Sequence, residues 1–206
     1  FESEYVFRGW QFADAIVTPS VDVAYGDFYA GVWFAVPVEN SWAYVNEMDI
    51  YGGVSTSVNG ILTLDVGACR YAYDEVITSF LNKNNTIEGY IGLSADVLLS
   101  PSVYIYYDFD LLVTTLEGSI GHSFGLTDSV SIDVGGSIGY VSPDSGDSYT
   151  YYGATADLSY SLNDSSSVGF GLRYSGSTED LIFGDISDPD TSKSILWYGL
   201  SFSTGF

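Results

Sequence analysis

Apolar and polar residues alternate with a period of two along most of this chain, and turn residues cut the alternation at short intervals. Over about 102–112, Val103, Ile105, Tyr107, Phe109 and Leu111 share one parity, while Tyr104, Tyr106, Asp108 and Asp110 share the other. The stretch 129–141 repeats this with Val130, Ile132, Val134 and Ile138 against Ser131, Asp133, Gly135 and Ser137. Ala154, Ala156, Leu158 and Tyr160 stand against Thr155, Asp157 and Ser159 in the same way. Period two is the mark of strands with one apolar face. It predicts twelve strands, over about 3–13, 16–26, 28–38, 43–57, 61–73, 86–98, 102–112, 114–125, 129–141, 150–162, 166–176 and 193–206.

The connections sort into two classes. Those at 26–27, 58–60, 99–101, 126–128 and 163–165 are short, and Asn59-Gly60 suits a two-residue turn because both positions tolerate positive φ. Those at 39–42, 74–85, 142–149 and 177–192 are mostly longer, with tight exceptions near 14 and 113. All the short turns fall on one side of the strand array, the asymmetry of outer-membrane barrels with short periplasmic turns. The expectation is an all-β, transmembrane, antiparallel up-and-down β-barrel, one domain over 1–206, with both termini periplasmic. A soluble sandwich would alternate as well, with its apolar face inward. Against it, nearly every predicted strand has the ~10 residues that cross a bilayer, and sandwich strands are usually shorter. The polar parity is also built from Gly, Ser and Asp, with little of the Lys and Glu that solvate a soluble exterior.

Composition narrows the reading further. The net charge is -22, but 46% hydrophobic and 17% aromatic content is not that of a disordered acidic chain. No apolar run reaches the roughly 18 residues of a spanning helix. The five bases, Arg8, Arg70, Lys83, Arg173 and Lys193, are too dispersed to neutralise a phosphate backbone, which excludes nucleic acid as a partner. Cys69 is the single cysteine, so no internal disulfide and no Cys-based metal site can form. No cofactor and no specific metal site are expected. The chain opens directly on strand-like sequence, and any secretory leader is expected to have been removed.

At the other end, Tyr198, Leu200, Phe202 and Phe206 share one parity. This resembles the C-terminal signal by which outer-membrane proteins are handed to the barrel-assembly machinery. That machinery is therefore an expected partner during biogenesis, alongside outer-membrane lipid and lipopolysaccharide and the small ions or solutes that would pass. The sequence carries no sign of an oligomeric state.

Tyr5-Val6-Phe7-Arg8-Gly9, FYAGVWFA at 28–35, NEMDIYGG at 46–53, LDVGACRYAYD at 64–74 and EGYIGLS at 88–94 together resemble the TorF-type family of outer-membrane porins. The likeness is clearest over the first 95 or so residues and diffuse afterwards. That family often has Pro after the aromatic pair of its fifth strand, where this chain has Asp74 after Tyr73, so the third outer loop is expected to differ. The resemblance implies an outer-membrane channel.

If the apolar parity meets lipid, the other parity lines the lumen. It carries Asp22, Glu47, Asp49, Asp65, Glu88, Asp96, Asp108, Asp110, Glu117, Asp133 and Asp157, with Arg8 and Arg173 as inward bases. Carboxylates around a confined aqueous path raise the local cation concentration. The expected function is passive diffusion of small polar solutes and ions, with cations favoured. Arg8 and Arg173 are expected on one wall and most acids on the opposite one, a transverse field, although the arginines could equally pair with carboxylates and brace the wall. Tyr29, Trp33, Tyr51, Tyr90, Tyr104 and Tyr106 also point inward by parity and should narrow the path. The alternative is a plugged structural or interaction barrel, whose acidic outer loop 177–192 binds divalent cations or a surface partner.

An enzyme is not expected. The only histidine, His122, falls on the lipid parity near the periplasmic rim, and adjacent strand residues face opposite ways, so Ser123 cannot serve it. Asp108 with Asp110, and Glu47 with Asp49, place carboxylates about 7 Å apart, a spacing common on polar barrel walls. Cys69 faces inward as a small, inert side chain.

Overall fold

In the computed structural model, which describes residues 1–38, 46–73, 85–183 and 191–206, the alternating segments join edge to edge in one twelve-stranded antiparallel sheet. In chain order it holds β3 (Ile16–Val17), β4 (Ser20–Tyr25), β5 (Phe28–Pro37), β6 (Glu47–Ser57), β7 (Leu62–Tyr73), β8 (Asn85–Ala95), β9 (Ser102–Asp108), β10 (Val113–Gly125), β11 (Val130–Pro143), β12 (Tyr149–Asn163), β13 (Ser166–Ser177) and β16 (Ser194–Thr204). β3 and β4 lie end to end along β5, and the later strands pair with their neighbours in the sheet order, so the sheet is an up-and-down meander. Residues 1–3 join its two edges. The Glu2 N–H donates to the Ile16 carbonyl at 3.0 Å and the Ile16 N–H returns to Glu2 at 2.9 Å. On the other side the Ser3 N–H donates to Tyr198 at 2.9 Å and the Leu200 N–H to Phe1 at 2.8 Å. At the level of these residues the sheet thus closes on itself and its edges are consumed.

Burial is inverted relative to a soluble sandwich. Ile87 is 46% exposed while the adjacent Glu88 is 3% exposed. The same contrast runs round the sheet: Ile50, Val66, Ile105, Leu116, Ile138, Leu158, Phe170 and Leu200 are exposed. Apolar side chains therefore face outward, where a bilayer would solvate them, and the polar parity faces a shared interior.

One predicted strand takes a different path. The segment 3–13 is not a stave of the wall but a separate hairpin, β1 (Tyr5–Phe7) paired with β2 (Trp10–Ala13). Arg8 and Gly9 form its two-residue turn with φ of 50° and 78°, the double positive φ that matches the twist of a tight hairpin. The base of this hairpin rests on a small core of Ala13, Ile16 and Ala35, against which Tyr5 and Trp33 pack. Its β2 edge is tied to the 178–183 segment by the Gln11 N–H donating to the Leu181 carbonyl at 3.1 Å. A minor two-residue pair, β14 (Ile182–Phe183) with β15 (Thr191–Ser192), stands beside it.

Two strand ends also differ from the expected spans. β9 stops at Asp108 because the Asp108 carboxylate turns back and accepts the N–H groups of Asp110 and Leu111 at 2.9 and 2.7 Å, a local bond that competes with the ladder. β8 stops at Ala95, and the connection to β9 passes through Leu99 and Ser100 at φ of 70° and 36°. The expected strand start at 43–45, Asp74, and residues 184–190 of the acidic outer loop lie outside the described residues.

Candidate functional site

The alternation of each strand delivers the interior. Nine of the eleven expected acids stand on strands at inward parity: Asp22, Glu47, Asp49, Asp65, Glu88, Asp108, Glu117, Asp133 and Asp157. The other two do not. Asp96 is exposed in the turn after β8, and Asp110 sits in the turn after β9 with its carboxylate accepting the Ile87 N–H at 3.1 Å. Their expected inward placement extends β8 and β9 past the points where local turns end them, at Ala95 and Asp108.

Side chains meet across the inner surface. The Tyr29 and Tyr104 hydroxyls donate to Asp65 at 2.8 and 3.0 Å, and Tyr29 and Tyr90 share a hydrogen bond of 2.6 Å. Tyr51 donates to Asp22, Tyr151 to Glu117, and Tyr5 to Glu47 at 2.6 Å. The tyrosines do not stand into the lumen as simple obstacles. Tyr51 lies opposite Gly31, Tyr29 opposite Gly53, Tyr90 opposite Gly67, Tyr104 opposite Gly92, and Tyr151 opposite Gly139. A Cβ on any of these glycines would overlap the facing ring. Each ring therefore lies flat along the wall over a residue that has no side chain. Of the two remaining aromatics, Trp33 packs on Tyr5 of the hairpin with ring centroids 5.7 Å apart, and Tyr106 lies under Arg8.

Arg8 is the residue around which the interior is organised. From the hairpin tip its guanidinium reaches Glu88 on β8 with two bonds of 2.6 and 2.9 Å. It sits 4.7 Å from the Phe7 ring centroid and 4.5 Å from that of Tyr106. Tyr71 donates to the same carboxylate at 3.0 Å. Gly9 next to it lies so close to β12 and β13 that a Cβ would come within 2.7 Å of the Tyr151 Cβ. Holding Arg8 at positive φ costs about 1–2 kcal/mol, and a buried bidentate ion pair offsets such strain.

Arg173 lies apart from this pair. Its guanidinium contacts Asp157 at 2.7 Å and Glu2 at 3.5 Å, and the Trp197 ring N–H also donates to Glu2 at 3.1 Å. The expected basic wall facing an acidic one is therefore not the arrangement found. Arg8 reaches its acid from a hairpin rather than from a wall strand, and Arg173 pairs within its own side of the barrel.

Two cavities flank the Arg8 tip. One of about 580 Å³ opens at the long-loop end and is lined by Trp10, Tyr73, Asp108, Tyr149 and Glu179 among others. The second, about 350 Å³, is lined by Glu117, Ser119, Thr155, Arg173 and Trp197. Phe7 and Arg8 border both. At the hairpin base, Glu4 accepts from the Gln11 side chain at 2.8 Å. Burial and the nearby Asp14 charge push its carboxyl up to about 7, against the lowering effect of that hydrogen bond.

Parity alone could have found Tyr71, Tyr73, Thr86, Thr115, Tyr151 and Trp197, which line this interior and were not singled out from the sequence. Glu2 and Glu4 carried no such signal, because Glu2 is placed by the closure of the sheet and Glu4 by the hairpin. Cys69 is buried on the inner parity, and His122 stacks edge-on against Phe124 at 4.6 Å on the outer one. Among the described residues no group of three metal-ligating side chains comes together. The apolar residues of the terminal strand, Tyr198, Leu200, Phe202 and Phe206, are all exposed.

A family model described as "Bacterial protein of unknown function (Gcw_chp)" matches residues 1–107. No curated protein matches the chain. Among solved structures, the NanC porin is similar with a TM-score of 0.65 at 11% identity, covering 92% of this chain and 92% of that one. OmpT of Vibrio cholerae, expressed in the outer membrane, aligns with a TM-score of 0.48 at 11% identity over 94% of this chain and 65% of that one. At such identities the likeness to NanC shows the fold, an outer-membrane β-barrel.

Proposed function

The chain belongs to the Gcw_chp family of bacterial proteins of unknown function, and we propose that it acts as an outer-membrane channel for passive diffusion of small cations and polar solutes, constricted by its own N-terminal hairpin. The observation that carries this reading is the pair of cavities meeting at Arg8 inside an acidic lumen. Tyrosine rings folded onto glycines leave space along the axis, and the carboxylates give that space its charge. The resemblance of the first 95 or so residues to TorF-type porins points the same way, and the barrel with the similar fold, NanC, is a porin. Catalysis is not part of the reading, since His122 stands on the outer parity away from the lumen.

Single-channel recording in a salt gradient tests it. The expected result is a small conductance with a reversal potential on the cation side. No conductance, or a reversal potential favouring anions, overturns it. One observation favours the second reading, a sealed barrel acting through its loops: the Arg8–Glu88 pair spans the lumen between the two cavities. The same recording separates the two.

A further inference from the structure

The wall is one strand short over part of its height. β3 and β4 follow each other along β5 in a single register, so the twelve sheet strands make eleven staves. Among the described residues, only residues 1–3 stand between β3 and β16. Toward the short-turn end that bridge stops. There β4 pairs with β5 alone, and Ser201–Thr204 of β16 pair with β13 alone. The bridge shows which backbone groups are left over. Leu200 exchanges both its bonds with Phe1, and Ile16 both its bonds with Glu2. Hydrogen-bonding direction alternates along a strand, so Phe202 and Thr204 on one edge, and Ser20, Asp22 and Ala24 on the other, aim N–H and C=O into the gap. The side chains that border it are bare: Val21, Val23 and Phe202 are 60, 63 and 66% exposed, against 47, 46 and 49% for Ile50, Val66 and Ile105 in the closed wall. Unpaired backbone does not persist in hydrocarbon, and bacterial single-chain barrels have an even number of strands.

We propose that this gap is the seat of a twelfth stave, formed by chain joined to the N-terminal side of Phe1. Residues 1–3 already run antiparallel to both edges, with Glu2 opposite Ile16 on one and Gly199 on the other. Carried on, that register sets the third residue before Phe1 between Ser20 and Ser203. About seven residues before Phe1 reach the level of Ala24, and with residues 1–3 they make the roughly ten that cross a bilayer. Lumen-facing positions of this stave lie beside Ser20, Asp22, Ser201 and Ser203 and call for small polar residues. Lipid-facing positions lie beside Val21, Val23 and Phe202 and call for apolar ones. A separate peptide or a second copy fits less well, because it would have to end against the Phe1 nitrogen, which is 2.9 Å from the Leu200 carbonyl. The inference concerns the wall and does not rest on the channel reading.

The test starts from the barrel purified from its own outer membrane. Its intact mass should show at least about seven residues before Phe1, and a mass matching residues 1–206 overturns the proposal. Amide hydrogen exchange then compares this form with the 206-residue chain in the same detergent. The Asp22, Ala24 and Thr204 amides should exchange at least about a hundredfold more slowly in the longer form, while Val23, whose N–H faces β5, should not change. Equal exchange in the two forms overturns the stave, and slow exchange of Ala24 in the shorter chain would assign the gap to a second copy instead. Cross-linking in the longer form decides the matter even if the shorter chain does not fold. Ser203→Cys with a cysteine at the third residue before Phe1 should form a disulfide on mild oxidation, since facing strand residues lie within bridging distance. Moving that cysteine to the fourth residue, which faces the bilayer, should abolish the link. No link in either pair, or equal links in both, overturns the register.

Discussion

Replacing Arg8 by alanine removes the clasp between hairpin and wall. Three contacts with the wall are lost: two charge-assisted hydrogen bonds to Glu88 and the guanidinium contact with Tyr106. Breaking one partner out of a fully buried ion pair costs about 3–5 kcal/mol. Glu88 keeps its bond from Tyr71 and can be rehydrated from the lumen, so that range is an upper bound. Taking the two-pronged bond to Glu88 as one interaction between charged groups at about 1.5–3 kcal/mol, and the Tyr106 contact as an exposed cation–π contact at about 0.5–1 kcal/mol, gives about 2–4 kcal/mol. At 1.4 kcal/mol per tenfold, the undocked hairpin should become roughly thirtyfold to several hundredfold more populated. In planar bilayers Arg8→Ala should spend a visibly larger share of time in a high-conductance level, and the Gln11 amide, bonded to Leu181, should exchange faster. Arg8→Lys should fall between, since an ammonium cannot match the two-pronged geometry. Adding Glu88→Gln to Arg8→Ala should change little further. Parental conductance and Gln11 protection in Arg8→Ala would refute the clasp, and so would strictly additive effects in the double variant.

Three other outcomes follow from the same geometry. Gly92→Val should push the Tyr104 ring off the wall and lower single-channel conductance; a parental value would mean the ring does not depend on the glycine. Asp157→Asn leaves Arg173 with Glu2 and should shift the reversal potential toward anions by a few millivolts, checked in the same salt gradient. Glu4 has a carboxyl held at about 7 by burial and by Asp14, above its unfolded value. Its contribution to the folded hairpin is therefore full below about pH 4.5 and lost as pH rises through 7. Gln11 amide exchange, corrected for the intrinsic pH effect, should be slower at pH 5 than at pH 8, and equal protection would contradict this.

Most of the wall was legible in the sequence because one physical rule governs all of it: a strand between lipid and water must alternate. Ile87 and Glu88, or Leu116 and Glu117, declare their faces without reference to any distant residue. The hairpin was illegible for the opposite reason. Tyr5–Ala13 alternates like a wall strand, and Arg8-Gly9 lacks the Asn-Gly or Asp-Gly chemistry that marks a tight turn. What bends it inward is Glu88, 80 residues away in sequence. Asp108 was legible as an inward acid but not as a strand terminator, because its two bonds to the following amides appear only once the backbone turns. The glycines opposite Tyr29, Tyr51, Tyr90, Tyr104 and Tyr151 were readable only in pairs, after register was known.

The register also explains why two arginines persist in so acidic an interior. Glu88 stands directly across from Asp108, and Asp133 directly across from Asp157. Like charges facing each other on adjacent strands destabilise a sheet, and a narrow lumen screens them less than bulk water does. Arg8 binds one member of the first pair and Arg173 one member of the second. Each arginine is thus a local counter-charge to a cross-strand acid pair, not half of a field drawn across the pore. The two differ in one respect that matters for function. Arg173 is fixed in the wall, whereas Arg8 is carried on a hairpin that is no part of the wall ladder. On the proposed channel reading, release of the hairpin would leave Glu88 and Asp108 facing each other without a counter-charge, and a solute cation would be the natural replacement. Opening the constriction and attracting a cation to it would then be one event, driven by the same pair of carboxylates.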